Sequence, residues 1–158
     1  MILNVLCVDD QREVLAALRN DLSSLPFALD TCESAAEAQE LLDEIDAEGG
    51  HVAVIVCDHV MPEKSGVDWM AELNADERFP HTRKLLLTGL ATHRDTIHAI
   101  NEADIDMYLE KPWDADILRA AVRRMATEYV FAAGLDHMEI IRELDQEVLY
   151  RELKKRHQ

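Results

Sequence analysis

Three observations in the 158-residue chain predict an α/β fold, a five-stranded parallel doubly wound sheet with helices on both faces. Short runs rich in Val, Ile and Leu do not alternate with polar residues, which is the pattern of strands buried on both sides. Stretches with apolar residues at helical spacing separate those runs, and several of the junctions carry turn or cap residues. The β-α alternation recurs five times in about 125 residues, a length that suits one domain plus an extension.

The first apolar run, residues 2–8, leads to Val14, Leu15, Leu18 and Leu22, one stripe of a helix. A weaker strand over 28–32 follows. Ser34-Ala35-Ala36-Glu37 has capping-box spacing, so a helix opens there with Ala35, Ala38, Leu41, Leu42 and Ile45 on its apolar side, and Gly49-Gly50 closes it. Residues 52–57 form the third strand, and Val67, Met70 and Leu73 mark the helix after it. Residues 85–87 form the fourth strand, and Thr92 with Asp95 three residues on starts the next helix. The fifth strand lies around 105–109, before Lys111-Pro112 and a helix that Asp114 caps and Gly134 ends. Asp136 with Glu139 caps a further helix, whose stripe Ile141, Leu144, Val148 and Leu153 keeps helical spacing for about three turns. The expected division is a domain over 1–125 and a helical extension over 126–158.

Acids outnumber bases 32 to 16, for a formal charge of −16, and such a polyanion is repelled by phosphate backbones and anionic membrane surfaces. Direct nucleic-acid binding is therefore excluded as a working hypothesis. The longest apolar run, 52–57, is far short of the roughly 20 residues that span a bilayer. Asp9 and Asp10 follow the first apolar stretch and no basic residue precedes it, the reverse of a secretory signal, so a cytoplasmic location is expected. Cys7, Cys32 and Cys57 are odd in number and lack CxxC spacing, which predicts neither a disulfide framework nor a zinc site. Residues 134–158 carry six acids and five bases, so 26 acids against 11 bases fall in 1–133.

In a doubly wound sheet, ligand sites lie outside the carboxyl ends of the strands. There stand Asp9-Asp10 after the first strand, Asp58 after the third, Thr88 after the fourth and Lys111 after the fifth. Three carboxylates at one edge repel each other, and a divalent cation resolves the conflict. Mg²⁺ suits a set of hard oxygen donors without His or Cys, and is commonly held by one or two carboxylates plus phosphate oxygens. Lys111 adds positive charge, and Thr88 adds a hydroxyl donor too weakly acidic to be a nucleophile unaided. These are the parts of a phosphoryl transfer onto a carboxylate, with Asp58 as the candidate acceptor.

These residues resemble the receiver domains of two-component response regulators. The resemblance rests on Leu6-Cys7-Val8-Asp9-Asp10, on Val54-Ile55-Val56-Cys57-Asp58-His59-Val60-Met61-Pro62 with Gly66, on Leu87-Thr88-Gly89, and on Tyr108-Leu109-Glu110-Lys111-Pro112-Trp113, in that order and with compatible spacing over roughly 1–125. It implies a flavodoxin-like strand order 2-1-3-4-5. It also implies that Asp58 accepts phosphate from a histidine kinase or phosphotransfer protein, while Asp10, Asp58 and the backbone carbonyl of Val60 hold Mg²⁺ and Asp9 acts through a bound water. Lys111 then pairs with the phosphoryl group, Thr88 moves toward it, and Tyr108 changes rotamer on the face formed by the fourth strand, the helix after it and the fifth strand. The Lys111-Pro112 peptide is cis in the family as a rule. Receivers with Lys-Pro-Trp and a helical extension also resemble those attached to cyclic-nucleotide enzymes.

Plainer readings stand beside these. Asp9-Asp10 would serve as a helix cap, Thr88 as a strand end, Tyr108 as core, and Trp113 as a packing residue. His59 reads as an exposed loop histidine, and Lys154-Lys155-Arg156 as cations complementing a helix C-terminus. A metal-dependent phosphatase using Asp58 or Asp10 on an external substrate is a second function, weakened because Gln11-Arg12 follow Asp10 where an Asp-x-Asp pattern is needed. An unphosphorylated interaction module is a third. The expectation is a switch that is not an enzyme beyond its own phosphorylation and dephosphorylation. The stripe of the extension packs back on the receiver, forms a dimer or leads to an output domain; tail-dependent homodimerisation is the expected outcome.

Overall fold

The computed structural model describes residues 1–89, 101–140 and 144–156. Its elements are β1 (Leu3–Val8), α1 (Arg12–Leu22), β2 (Ala28–Cys32), α2 (Ala35–Ala47), β3 (His51–Asp58), α3 (Gly66–Asn74), β4 (Arg83–Thr88), β5 (Met107–Glu110), α4 (Ala115–Ala132), a 3₁₀ turn (His137–Ile140) and α5 (Gln146–Arg156). Residues 101–103 are helical, whereas the helix start expected at Thr92 and Asp95 lies outside the described residues, as does Ile141. The five strands form one sheet in the order β2-β1-β3-β4-β5, parallel at every pairing, as the resemblance implied.

β3 is buried throughout apart from its first residue, which is why its run of Val, Ile and Cys does not alternate. On one face of the sheet Val5, Cys7, Val54 and Val56 pack with Leu15, Leu18 and Leu22 of α1 and Leu118, Val122 and Met125 of α4. On the other face Leu6, Val8 and Ile55 meet Ala38, Leu42 and Ile45 of α2 and Val67, Met70 and Leu73 of α3. The sequence stripes thus name the two halves of the core. The three cysteines are free and buried; burial pushes the Cys7 and Cys32 thiols up to about 12 and Cys57 well above its ordinary value, so they act as small apolar side chains.

The helix starts follow the cap chemistry. Ser34 Oγ accepts from Glu37 N at 3.1 Å, and Glu37 Oε2 accepts from Glu33 N at 3.0 Å. Asp114 Oδ1 accepts from Asp116 N and Ile117 N. Gly49 closes α2 at φ 74°, a left-handed conformation that favours glycine. Ser65 caps α3 by accepting from Asp68 N, a start that the apolar stripe of α3 alone did not reveal.

The extension departs from expectation. Instead of one helix opened by Asp136, there is a 3₁₀ turn in which Asp136 Oδ1 accepts from Met138 N, then a new start at Asp145, whose Oδ1 accepts from Glu147 N and Val148 N. Asp145 offers the same capping oxygen as Asp136, and it interrupts the stripe so that Leu144 precedes α5. Leu144 and Leu149 join the core on the α1–α4 face, and Leu144, Val148 and Leu149 are all buried. Asp145 N donates to Thr127 Oγ1 at 2.8 Å, and that hydroxyl donates to Arg123 O at 2.7 Å, which satisfies the polar atoms of a wholly buried threonine. The extension is therefore docked on its own chain, and α4 runs past residue 125 to Ala132. Among the described residues no helix is long and apolar enough to cross a membrane.

Candidate functional site

The parallel register brings the carboxyl ends of β1, β3, β4 and β5 to one edge. Val8 pairs with Cys57, so Asp9 and Asp58 each stand one residue beyond that pair. Asp58 pairs with Leu87, which sets Thr88 next beyond it, and Lys111 N donates to Thr88 O at 2.8 Å, fixing the start of the loop after β5. The Lys111-Pro112 peptide is cis.

Lys111 Nζ donates to Asp9 Oδ2 at 2.7 Å and to Asp58 Oδ1 at 3.2 Å. Asp9 and Asp58 are buried, whereas Asp10 is exposed, and one carboxylate oxygen from each of the three lies within 4.8 Å of the others. Burial, then the charge of Asp9, holds the Asp58 carboxyl above its ordinary value against the pull of Lys111. Burial disfavours the Lys111 ammonium, but its hydrogen bond to Asp9 and the charges of Asp58 and Asp9 outweigh that and hold its pKa above the ordinary value. Three oxygen donors with only one lysine against them are the donor set that a hard divalent cation fits. Asp9 Oδ1 also accepts from Gln11 N at 2.9 Å, so both its oxygens are engaged within the protein. Gln11, not an aspartate, stands at the N-cap position of α1 and makes no side-chain cap, so the capping alternative for Asp9-Asp10 fails.

The loop after Asp58 is closed by Gly66 N donating to His59 O at 2.8 Å. A Cβ on Gly66 would fall 1.8 Å from Asp58 O and 2.9 Å from Cys57 Sγ, so only glycine lets α3 begin this close to the end of β3. Val60 is 72% exposed at the rim. His59 is half-buried rather than an exposed loop histidine; its Nδ1 is buried with no partner among the described residues. Composition around His59 carries no signal for that burial.

Thr88 is buried at the end of β4, and Tyr108 is half-buried against the core on the α2–α3 face. Trp113 packs against the α1–α4 core, and its Nε1 donates to Asp21 Oδ2 at 2.8 Å, tying the start of α4 to the end of α1. The packing reading of Trp113 therefore holds.

Comparison with known proteins agrees with this geometry. The family model for the response regulator receiver domain matches residues 5–123. The hydrogenase transcriptional regulatory protein HoxA of Cupriavidus necator is 38% identical over 120 residues, which cover 76% of this chain and 23% of HoxA. The chain thus spans about a quarter of the length of that relative. The chemotaxis protein CheY of Pseudomonas aeruginosa is 28% identical over 124 residues, covering 78% of this chain and 95% of CheY. The crystal structure of the signal receiver domain of an HD domain-containing protein from Pseudomonas fluorescens Pf-5 superposes with a TM-score of 0.69 at 32% identity, covering 78% of this chain and 93% of that one. On its sheet order, its acid and lysine cluster and this match, the chain belongs to the receiver domain family of response regulators in two-component signalling.

Proposed function

We propose that this receiver takes a phosphoryl group onto Asp58 from the phosphohistidine of a histidine kinase or phosphotransfer protein, in a Mg²⁺-dependent reaction, and relays the change through protein contacts. The observation that carries the reading is the Lys111 ammonium held between Asp9 and Asp58 beside the exposed carboxylate of Asp10. Asp58 Oδ1 is engaged by Lys111, which leaves Oδ2 to form the new P–O bond as the P–N bond of the donor breaks and its nitrogen keeps the electron pair. Lys111 neutralises charge that gathers on Asp58 and on the transferred oxygens. Mg²⁺, when bound, supplies further positive charge to those oxygens; Asp10, Asp58 and the Val60 carbonyl would hold it directly and Asp9 through a water. Thr88 donates its hydroxyl to the phosphoryl group, and Tyr108 responds on the β4–β5 face.

The added charge of about −1.5 to −2 biases a two-state surface, so the chain acts as a switch whose chemistry is confined to its own Asp58. The chain's charge of −16 favours protein partners over nucleic acid, with a cytoplasmic location. Because Leu149 of α5 is buried in the core of its own receiver and Val148 is buried as well, association between copies through this helix falls to its outward face. The test is incubation with a small-molecule phosphodonor and Mg²⁺ followed by intact mass measurement. A gain of one phosphoryl group that disappears in Asp58→Ala is expected; no gain, or a gain that survives that substitution, overturns the reading.

A further inference from the structure

We propose that the outward face of α5 is self-complementary and pairs with the same face of a second copy of this chain, the two helices running antiparallel. α5 is divided sharply between two sides. Leu149 and Leu153 pack on the receiver core, Val148 is buried, and Arg156 lies over the Phe131 ring at 5.0 Å, so this side is engaged within the chain. Glu147, Tyr150, Arg151 and Lys154 lie at helical spacing on the other side, and all four are exposed, with Tyr150 at 70%. Among the described residues none of these four side chains has a hydrogen-bond or ion-pair partner.

Their order along the helix is what selects the occupant. A two-fold axis placed between Tyr150 and Arg151 sets Glu147 of one copy opposite Lys154 of the other, and Tyr150 opposite Arg151, twice each. The first contact is an ion pair, and the second stacks a guanidinium on an aromatic ring. The antiparallel sense also brings the acidic first turn of each helix to the basic last turn of the other, which suits both helix dipoles.

Charge distribution points to the same place. The excess of acids lies in residues 1–133, with 26 acids against 11 bases, whereas α5 carries Arg151, Lys154, Lys155 and Arg156 against Glu147 and Glu152. Two copies of a chain with charge −16 meet least repulsion through this helix. Because the receiver lies behind the opposite side of α5, the two receivers fall on the outer sides of the helix pair and do not collide. One exposed helix of 11 residues from each copy makes a small, wet interface, so the dimer is weak and forms at high concentration.

The experiment is sedimentation equilibrium on the full unphosphorylated chain up to about 1 mM, a range where a weak interface is populated. The wild type self-associates, and Glu147→Lys and Lys154→Glu each weaken association by about tenfold or more, since one substitution replaces two ion pairs by two like-charge contacts. The doubly exchanged E147K/K154E chain recovers it. An equimolar mixture of the two single variants also associates, because their faces are complementary to each other. Circular dichroism melts confirm that these exposed substitutions leave the fold intact. A wild type that stays monomeric throughout, a dimer unaffected by either single variant, or a failure of both exchange and mixture to restore association overturns the proposal. No step depends on phosphorylation, so this result and that for Asp58 stand or fall separately.

Discussion

Lys111 Nζ sits 2.7 Å from Asp9 Oδ2, joining two side chains 102 residues apart in the chain, and it is closer to Asp9 than to Asp58 at 3.2 Å. The ammonium is thus anchored on Asp9 and shared with Asp58, so that a charge gained at Asp58 can draw it across without breaking into an unpaired state.

Lys111→Met removes the cation between two buried carboxylates. Leaving buried charged groups unpaired costs roughly 1–3 kcal/mol, so the variant melts below the wild type in metal-free buffer. Adding Mg²⁺ raises its melting temperature by more than it raises that of the wild type. Equal Mg²⁺ shifts in the two proteins would contradict the shared cation-binding role.

The raised pKa of Asp58, caused by burial and then by Asp9, sets two pH dependences. The carboxylate must be ionised to attack phosphorus, so the rate of phosphorylation falls on acidification, beginning at a higher pH than for an ordinary aspartate. The unfolded chain releases this proton more readily than the native one, so the ionised group weakens the fold above the native pKa, and that cost fades as pH falls through it. Asp58→Asn accordingly melts above the wild type at pH 7 without metal, and the gap narrows in acid. A gap that widens in acid would show the opposite sign.

Gly66→Ala forces a methyl group to within 1.8 Å of Asp58 O, a backbone atom that cannot rotate away. The expected loss is at the upper end of the roughly 1–3 kcal/mol typical of overpacking, or beyond it. The displacement falls on Asp58, the proposed phosphoacceptor, so phosphoryl incorporation is expected to drop along with the melting temperature. Unchanged incorporation would mean that the loop relaxes without moving Asp58.

Leu144→Ala tests whether the extension belongs to the receiver's cooperative unit. Leu144 is 1% exposed in the core on the α1–α4 face, and its truncation costs about 2–5 kcal/mol. A single melting transition shifted downward is expected. A separate early transition would show that α5 unfolds on its own. Thr127→Val, which removes the hydroxyl that accepts from Asp145 N, lowers the same transition by about 1–2 kcal/mol.

Much of the architecture is local in origin. Residues 52–57 are apolar without alternation because β3 has a helix layer on each face, and Ser34, Glu37 and Asp114 announce helix starts because their oxygens reach amides no more than four residues away. The edge position of Asp9, Asp10, Asp58, Thr88 and Lys111 was legible for a related reason: parallel strands joined by right-handed crossovers place every strand's carboxyl end on one side. Other features leave no such mark. The half-burial of His59 has no counterpart in the residues around it in sequence, and the bond from Trp113 to Asp21 links positions 92 residues apart.

The sequence by itself determined which residues are strands, which sides of the helices are apolar, and which chemistry gathers at the strand ends. Tertiary structure alone decided that Leu144 and Leu149 are covered by their own receiver, and that Lys111 leans on Asp9. The physical reason is that periodicity and caps are set by neighbours within a few residues, whereas an apolar stripe or a lone ammonium specifies only that it needs a partner, and the packing of the whole chain chooses which one.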